Sequence, residues 1–267
     1  MTVLIDTHAH IGFDSYDDDR DEMMSRAFEM GVKKILHPCC SIEEIPKLIE
    51  FTKRFTGDGM PNLYTAIGMH PIYIEADFEE SLIDKLEENL TKDKVRAVGE
   101  CGLDYFHTKD EDLQAKQRRF FQLQIDLAKK YNLPIIVHTR DAWEDTLRIL
   151  EENYPENKDA KSGVIHCYTG GEEFAKACIA RGFYISWSGI LTFKKNDNFR
   201  EVAKTLDIER VLVETDSPYL APQKVRGKRN EPSYVNYVAE VLAECYDISK
   251  EELAKITTKN AETLFNF

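Results

Sequence analysis

Short apolar runs recur along this chain, each followed by a polar or glycine-bearing turn and then a longer stretch of helical periodicity. Eight of them read as strands: Val3–Asp6, Lys34–His37, Leu63–Ile67, Arg96–Gly99, Pro134–Val137, Gly163–Ile165, Phe183–Ser186 and Val211–Glu214. They are continuously hydrophobic rather than alternating, as strands buried on both faces of a parallel sheet must be. Between them, Asp18–Met30, Ile42–Phe55, Phe78–Asn89, Asp112–Tyr131, Ala142–Asn153, Glu172–Arg181 and Asn198–Leu206 carry apolar residues at three- and four-residue spacing and read as helices. Gly31 and Gly182 stand where helix C-caps belong. The tail adds helical segments at Ser233–Cys245, Lys250–Lys255 and Lys259–Phe265. The alternation predicts an α/β fold: a (β/α)8 TIM barrel with additional C-terminal helices, one domain over residues 1–267. A doubly wound sheet would have fewer strands and gather its loop chemistry at one switch point. The stretch from Ser217 to Pro232 is the longest without periodicity, and a long connection in a compact domain is often functional.

Bulk properties narrow the classes. The 267 residues match the roughly 250 that such a barrel needs. With 42% hydrophobic and 31% charged residues, the chain is neither disordered nor fibrous. Its 35 Lys and Arg face 48 Asp and Glu, a formal charge of −13, which argues against a broad basic nucleic-acid surface. Any attraction for phosphate must therefore be local. The six cysteines form no C-x-x-C pair and read as reduced thiols of a cytoplasmic protein. The first apolar run stops at Asp6, so no signal peptide is expected, and no apolar stretch reaches the ~18 residues of a membrane span. No obligate protein partner is evident.

Metal-type side chains recur at the C-terminal ends of the strands, which in a barrel converge on one face. His8 and His10 close the first strand, and residues i and i+2 of an extended chain point the same way. Glu100 closes the fourth, His138 the fifth, His166 the sixth and Asp216 the eighth. Taken singly, each has an ordinary structural explanation. Together they place six N and O ligands around one mouth, with strand eight beside strand one. A carboxylate such as Glu100 can bridge two ions. Mixed imidazole and carboxylate donors suit Zn²⁺ or Mn²⁺, with Mg²⁺ possible in a carboxylate-rich half. Glu214 points the same way as Asp216 and competes for its role. Cys101 and Cys167 should face away from the ions.

These motifs resemble the TatD family of metal-dependent deoxyribonucleases, within the amidohydrolase-like barrel superfamily. The matching stretches are Asp6-Thr-His-Ala-His10, Gly68-Met-His-Pro71, Gly99-Glu-Cys-Gly-Leu-Asp-Tyr105, Leu133-Pro-Ile-Ile-Val-His138, His166-Cys-Tyr-Thr-Gly170, Ser188-Gly-Ile190, Glu214-Thr-Asp-Ser-Pro-Tyr-Leu220 and Arg226-Gly-Lys-Arg-Asn-Glu-Pro232. The resemblance implies two divalent cations per chain: one on His8, His10 and Asp216, the other on His138 and His166, with Glu100 bridging. Relatives that use a carbamylated lysine differ, because no Lys ends strand four here. The segment Ala221-Pro-Gln-Lys-Val225 lacks a second proline and a histidine expected in many members, which bears on substrate contacts alone.

The expected chemistry is phosphodiester hydrolysis of DNA, of a 3′–5′ exonuclease type, at single-stranded ends that enter a narrow mouth more easily than a duplex. Two ions would activate a shared water. Asp216 would ligate and accept its proton. His70 would contact substrate or protonate the leaving oxygen, or else simply cap its turn. Arg140 is placed to meet a phosphate. The run Lys224, Arg226, Lys228 and Arg229 puts basic residues on the active face, with Arg226 and Arg229 as substrate contacts. Asp104 reads as a partner behind the ligands, and His37 and His107 as structural or exposed. Phe106, Tyr105 and Tyr168 offer stacking faces. The competing class is hydrolysis of a carboxyl ester or C–N bond, as in an aminoacyl-tRNA deacylase or an amidohydrolase. A non-catalytic barrel would predict decayed ligands, and all six are present.

Overall fold

The structure is a computed structural model that describes residues 2–75 and 77–267. Among these residues, eight strands form one parallel sheet in sequential order: β1 (Leu4–Asp6), β2 (Val32–Pro38), β3 (Asn62–Ile67), β4 (Val95–Asp104), β5 (Ile135–Arg140), β6 (Gly163–Ile165), β7 (Phe183–Trp187) and β8 (Val211–Val213). The sheet curls until β8 meets β1. Thr7 donates its N–H to Val213 O at 3.3 Å, and Ala9 bridges to Ser217 in parallel sense. The expected barrel is therefore present.

The helices between strands are α1 (Arg20–Glu29), α2 (Ile45–Arg54), α3 (Leu82–Glu87), α4 (Glu111–Tyr131), α5 (Trp143–Asn153), α6 (Glu172–Ala180) and α7 (Asp197–Thr205). Then come α8 (Val235–Cys245) and α9 (Lys250–Phe265). Ends are set by local chemistry. Asp110 caps α4 by accepting the Leu113 N–H at 3.0 Å, and Asn132 ends it in the left-handed conformation. Among the helices, two stretches differ most from expectation. The helix expected over Phe78–Asn89 shrinks to Leu82–Glu87, and the last two of the three segments expected at the tail are one continuous helix.

The barrel interior takes one residue from each strand: Ile5, Leu36, Ala66, Ala97, Ile136, Val164, Tyr184 and Leu212. Ala261, Leu264 and Phe265 of α9 pack against this layer. Asn260 donates to Ile208 O and Val211 O, both at 2.9 Å, so α9 sits at the strands' N-terminal ends and stops the barrel there. Burying Leu264 and Phe265 contributes about 1.5–3 kcal/mol each. The opposite face is left to the loops. Among the described residues, no helix is long and apolar enough to cross a membrane.

Candidate metal centre

β1 ends at Asp6, and the chain continues extended beside the residues that follow β8. The Asp6 carboxylate fastens the two. It accepts Thr215 N–H at 2.9 Å, Thr215 Oγ1–H at 2.6 Å and His8 N–H at 3.3 Å. Ala9 is buried in the bridge to Ser217, which leaves His8 and His10 on the other side. Their Nε2 atoms lie 3.2 Å apart. Asp216 adopts a positive φ of 56° and donates its own N–H to His8 O at 2.9 Å. Its Oδ1 then stands 3.6 Å from His10 Nε2 and 3.8 Å from His8 Nε2.

Glu100 reaches the centre from inside a strand rather than from its end. β4 was expected to stop at Gly99, but it runs on to Asp104, with a register break between Val98 and Cys101 against β5. One extra residue in β4 makes a bulge that re-aims the local side chain. The glycines that read as turn residues serve close approach instead. A Cβ on Gly68 would meet Gly99 Cα at 2.4 Å, and one on Gly102, whose φ is +138°, would meet His138 O at 2.0 Å.

The two oxygens of Glu100 face different histidines. Oε2 lies 3.1 Å from His8 Nε2 and 3.7 Å from His10 Nε2. Oε1 lies 2.8 Å from His166 Nε2, 3.2 Å from His138 Nδ1 and 3.3 Å from His70 Nε2. His138 Nδ1 and His166 Nε2 are themselves 3.2 Å apart. All six expected ligand residues therefore converge. Two more donors stand close by: His70 groups with Glu100 and His138, and Cys40 with His10 and Glu100.

Behind the donors stand carboxylates that fix the rings. Asp104 Oδ2 lies 3.3 Å from His138 Nε2, leaving Nδ1 for the centre. His107 holds that carboxylate from outside, through its backbone N–H and its ring Nδ1, each at 2.8 Å. Asp104 is thus a supporting partner, as expected. Glu214 does not replace Asp216 but serves beside it. Its Oε1 accepts the Cys167 N–H at 2.7 Å and lies 3.4 Å from His166 Nδ1. His37 is structural: its Nε2 accepts the Gly12 N–H at 3.0 Å.

The other expected contacts divide. His70 Nδ1 accepts the Ile72 N–H at 3.2 Å, so the ring proton sits on Nε2, toward Glu100. β5 extends past Val137, so Arg140 shares the facing of His138, and its guanidinium lies 3.9 Å over the Phe106 ring. Arg226 lies over Phe193 at 4.5 Å, and Lys224 pairs with Glu240 at 3.7 Å. Arg229, expected at the substrate, engages groups of the protein's own surface: it donates to Asp19 at 2.7 Å and to Ser15 O, and covers the Tyr16 ring. Of the expected stacking rings, Phe106 is exposed, whereas Tyr168 is buried and Tyr105 donates its hydroxyl to Asp145.

The donor set fits divalent cations. Burial would raise the Glu100 carboxyl, yet His166, His70 and His8 hold it well below the ordinary value. Burial would strip His166 of its proton, yet Glu100 and Glu214, at its two ring nitrogens, hold the proton on. A cation between these groups satisfies the same carboxylates and returns the imidazole lone pairs to use as ligands. Two pairs of imidazole nitrogens pointed at each other, with a carboxylate oxygen to each pair, make two adjacent donor clusters.

Comparison with known proteins agrees. The model of the family described as TatD related DNase matches residues 5–266. The uncharacterized metal-dependent hydrolase YabD of Bacillus subtilis is 42% identical over 98% of this chain and 99% of its own. The 3′-5′ ssDNA/RNA exonuclease TatD of Salmonella typhimurium is 30% identical over 98% of each chain. The crystal structure of the Escherichia coli TatD homolog YJJV superposes with a TM-score of 0.89 at 29% identity, covering 99% of this chain and 98% of that one. A match over nearly the whole chain, on a barrel whose mouth gathers these donors, shows that this protein is a metal-dependent hydrolase of the TatD family.

Proposed function

We propose that the protein is a deoxyribonuclease that hydrolyses phosphodiesters at single-stranded ends, from 3′ to 5′. The observation that carries the reading is the divided carboxylate of Glu100, one oxygen to His8 and His10, the other to His138 and His166. That arrangement supports two donor sets that would share Glu100. His8, His10 and Asp216 would hold the first cation, His138 and His166 the second. Two adjacent ions suit an ester that carries its own negative charge. The Salmonella relative, named for 3′-5′ exonuclease action on ssDNA and RNA, supports the same class.

When bound, divalent cations such as Zn²⁺, Mn²⁺ or Mg²⁺ supply Lewis-acid chemistry, acidifying water and neutralising phosphate charge. The chain's own residues do the rest. Asp216 is the proton acceptor for the attacking water: its side chain is 14% exposed, against 3% for Glu100, so it meets solvent where Glu100 does not. Glu100 remains ionised and holds the two histidine pairs together. His70 presents its Nε2–H beside Glu100 and offers a hydrogen bond, not its proton, to the departing ester oxygen. Burial and the neighbouring His138 lower its pKa to about 4, so it acts as a neutral donor near pH 7. Arg140, on the strand of His138, receives a phosphate oxygen, and Arg226 meets the backbone further out.

Glu100→Ala and Asp216→Asn, each supplied again with metal, should lose turnover of an oligonucleotide. Undiminished hydrolysis by both defeats the reading. An oligonucleotide, an aminoacyl-tRNA and small amides should be compared on one metal-loaded sample. Preference for a carboxyl ester or C–N bond would assign the same centre to carbonyl chemistry.

A further inference from the structure

Large aromatic rings are exposed around the mouth: Tyr73, Phe106 and Tyr219 follow β3, β4 and β8, and each is at least 41% exposed. Tyr219 is the most exposed, at 54%. Its backbone is nevertheless pinned. The N–H donates to Asp216 O at 3.0 Å, and the carbonyl accepts Asn230 Nδ2–H at 2.6 Å. Asn230 is fully buried, donates also to Thr215 O at 2.9 Å, and receives the Tyr16 hydroxyl on its own carbonyl at 2.5 Å. A ring left in water on a rigid support is prepared for a partner.

The surroundings define the partner. Tyr219 meets the edge of Phe13 with centroids 5.9 Å apart and planes at 80°. Phe13 stacks on His10 at 5.1 Å and 26°. An aromatic ladder thus runs from a donor of the metal centre out to solvent. Beside it lies a cavity of about 490 Å³ lined by Phe13, His37, Leu48, Pro218 and Tyr219, with Asp14, Ser15, Glu44 and Lys47 as its other polar groups. Three of the polar groups have partners within the protein: Lys47 with Asp14, Glu44 with the Cys40 N–H, His37 with the Gly12 N–H. The slot therefore offers ring faces beside a small set of polar groups, of which Asp14 and Ser15 are exposed. Flat, unspecific apolar recognition beside a phosphodiester centre is what any base accepts by stacking.

We propose that the Phe13–Tyr219 slot takes the base of the terminal nucleotide of a single strand and stacks it while the adjoining phosphate lies at the His/Glu/Asp centre. The inference rests on the phosphodiesterase reading above and gives it a substrate end. A base in an intact duplex is paired and stacked on its neighbours, so the slot selects frayed or single-stranded ends without reading sequence.

The test uses the metal-loaded protein and oligonucleotides carrying a natural base or an abasic residue at the 3′ or 5′ terminus. Tyr219→Ala should raise KM for the natural end about 5- to 150-fold, with a smaller change in kcat. Tyr219→Phe and Tyr219→Trp should restore it. Removing the terminal base should raise KM for the wild type similarly, at one terminus only, and Tyr219→Ala should then add nothing. Terminal 2-aminopurine should be quenched on mixing with wild type and Tyr219→Phe, but not with Tyr219→Ala. Cleavage with KM indifferent to both Tyr219 and the terminal base overturns the slot alone. No cleavage of any oligonucleotide by the wild type overturns the phosphodiesterase reading and the slot with it.

Discussion

Glu214 stands 3.4 Å from His166 Nδ1, while the other ring nitrogen faces Glu100 at 2.8 Å. The buried carboxylate therefore fixes which nitrogen of His166 points to the centre, and raises its basicity. Glu214→Gln keeps the shape and removes the charge. Metal affinity, measured by competition against a chelator, should fall by about 10- to 100-fold with the fold intact. Unaltered affinity would make Glu214 a mere partner of the Cys167 N–H.

Metal uptake should release protons. His166 is held protonated by Glu100 and Glu214, against the effect of burial, and must lose that proton to become a ligand. Affinity should thus rise with pH. Calorimetry in two buffers of different ionisation enthalpy measures the release directly, and equal heats in both would refute it.

Asp104 should stabilise the metal-free protein mainly on the alkaline side of its own titration. Burial alone would raise its carboxyl, but hydrogen bonds from His138 and from the His107 backbone and ring hold it below the ordinary 3.8. A depressed folded value contributes stability that is complete above 3.8 and fades as pH falls below it. Asp104→Asn should flatten the decline of the urea midpoint in that acid window. A decline as steep as that of the wild type would show that other carboxylates control it.

Gly102→Ala should disturb both fold and centre. The added methyl would sit 2.0 Å from His138 O, on backbone with φ of +138°. Strain of this kind costs roughly 1–3 kcal/mol. Since β5 would have to retreat with His138, metal affinity should drop alongside urea stability. Loss of stability without loss of affinity would mean that β5 moves as a rigid body with its partners.

Arg226 and Arg229 should behave differently although three residues apart. Arg229 pairs with Asp19 at a half-exposed site, so Arg229→Ala should cost up to about 1 kcal/mol of stability and leave the salt slope of DNA affinity alone. Arg226→Ala should reduce that slope by about 1. The reverse pattern, read from binding at several salt concentrations, would reassign the loop.

The barrel and its six converging donors were legible because they rest on local rules. Continuous apolar runs imply a buried parallel sheet, and His8 with His10 obeys the two-residue period of extended chain. What was less legible depends on packing. Gly99 and Gly102 carry the composition of a turn, and only the proximity of β3 and β5 shows why β4 needs them. Ile256, Thr257 and Thr258 are β-branched and break the helical pattern of the tail, yet α9 passes through them because Thr257 is buried and bonds back to Leu253 O at 3.1 Å. Glu214 and Asp216 looked like rivals for one role; the left-handed turn at Asp216 lets each take its own. Phe13 and Tyr219 lie in aperiodic loops, where no pattern marks a ring as exposed. Arg229 was read from its charge alone, and its partner Asp19 comes from far along the chain.

The seam between Asp6 and Thr215 joins residues 209 positions apart. During synthesis, His8 and His10 leave the ribosome long before Asp216 exists, and until β8 arrives Asp6 has no Thr215 to bind. A nascent or truncated chain therefore carries loose histidines without the carboxylate that completes their cluster. Competence for hydrolysis is withheld until the ring closes, so a half-made copy has no complete centre with which to act.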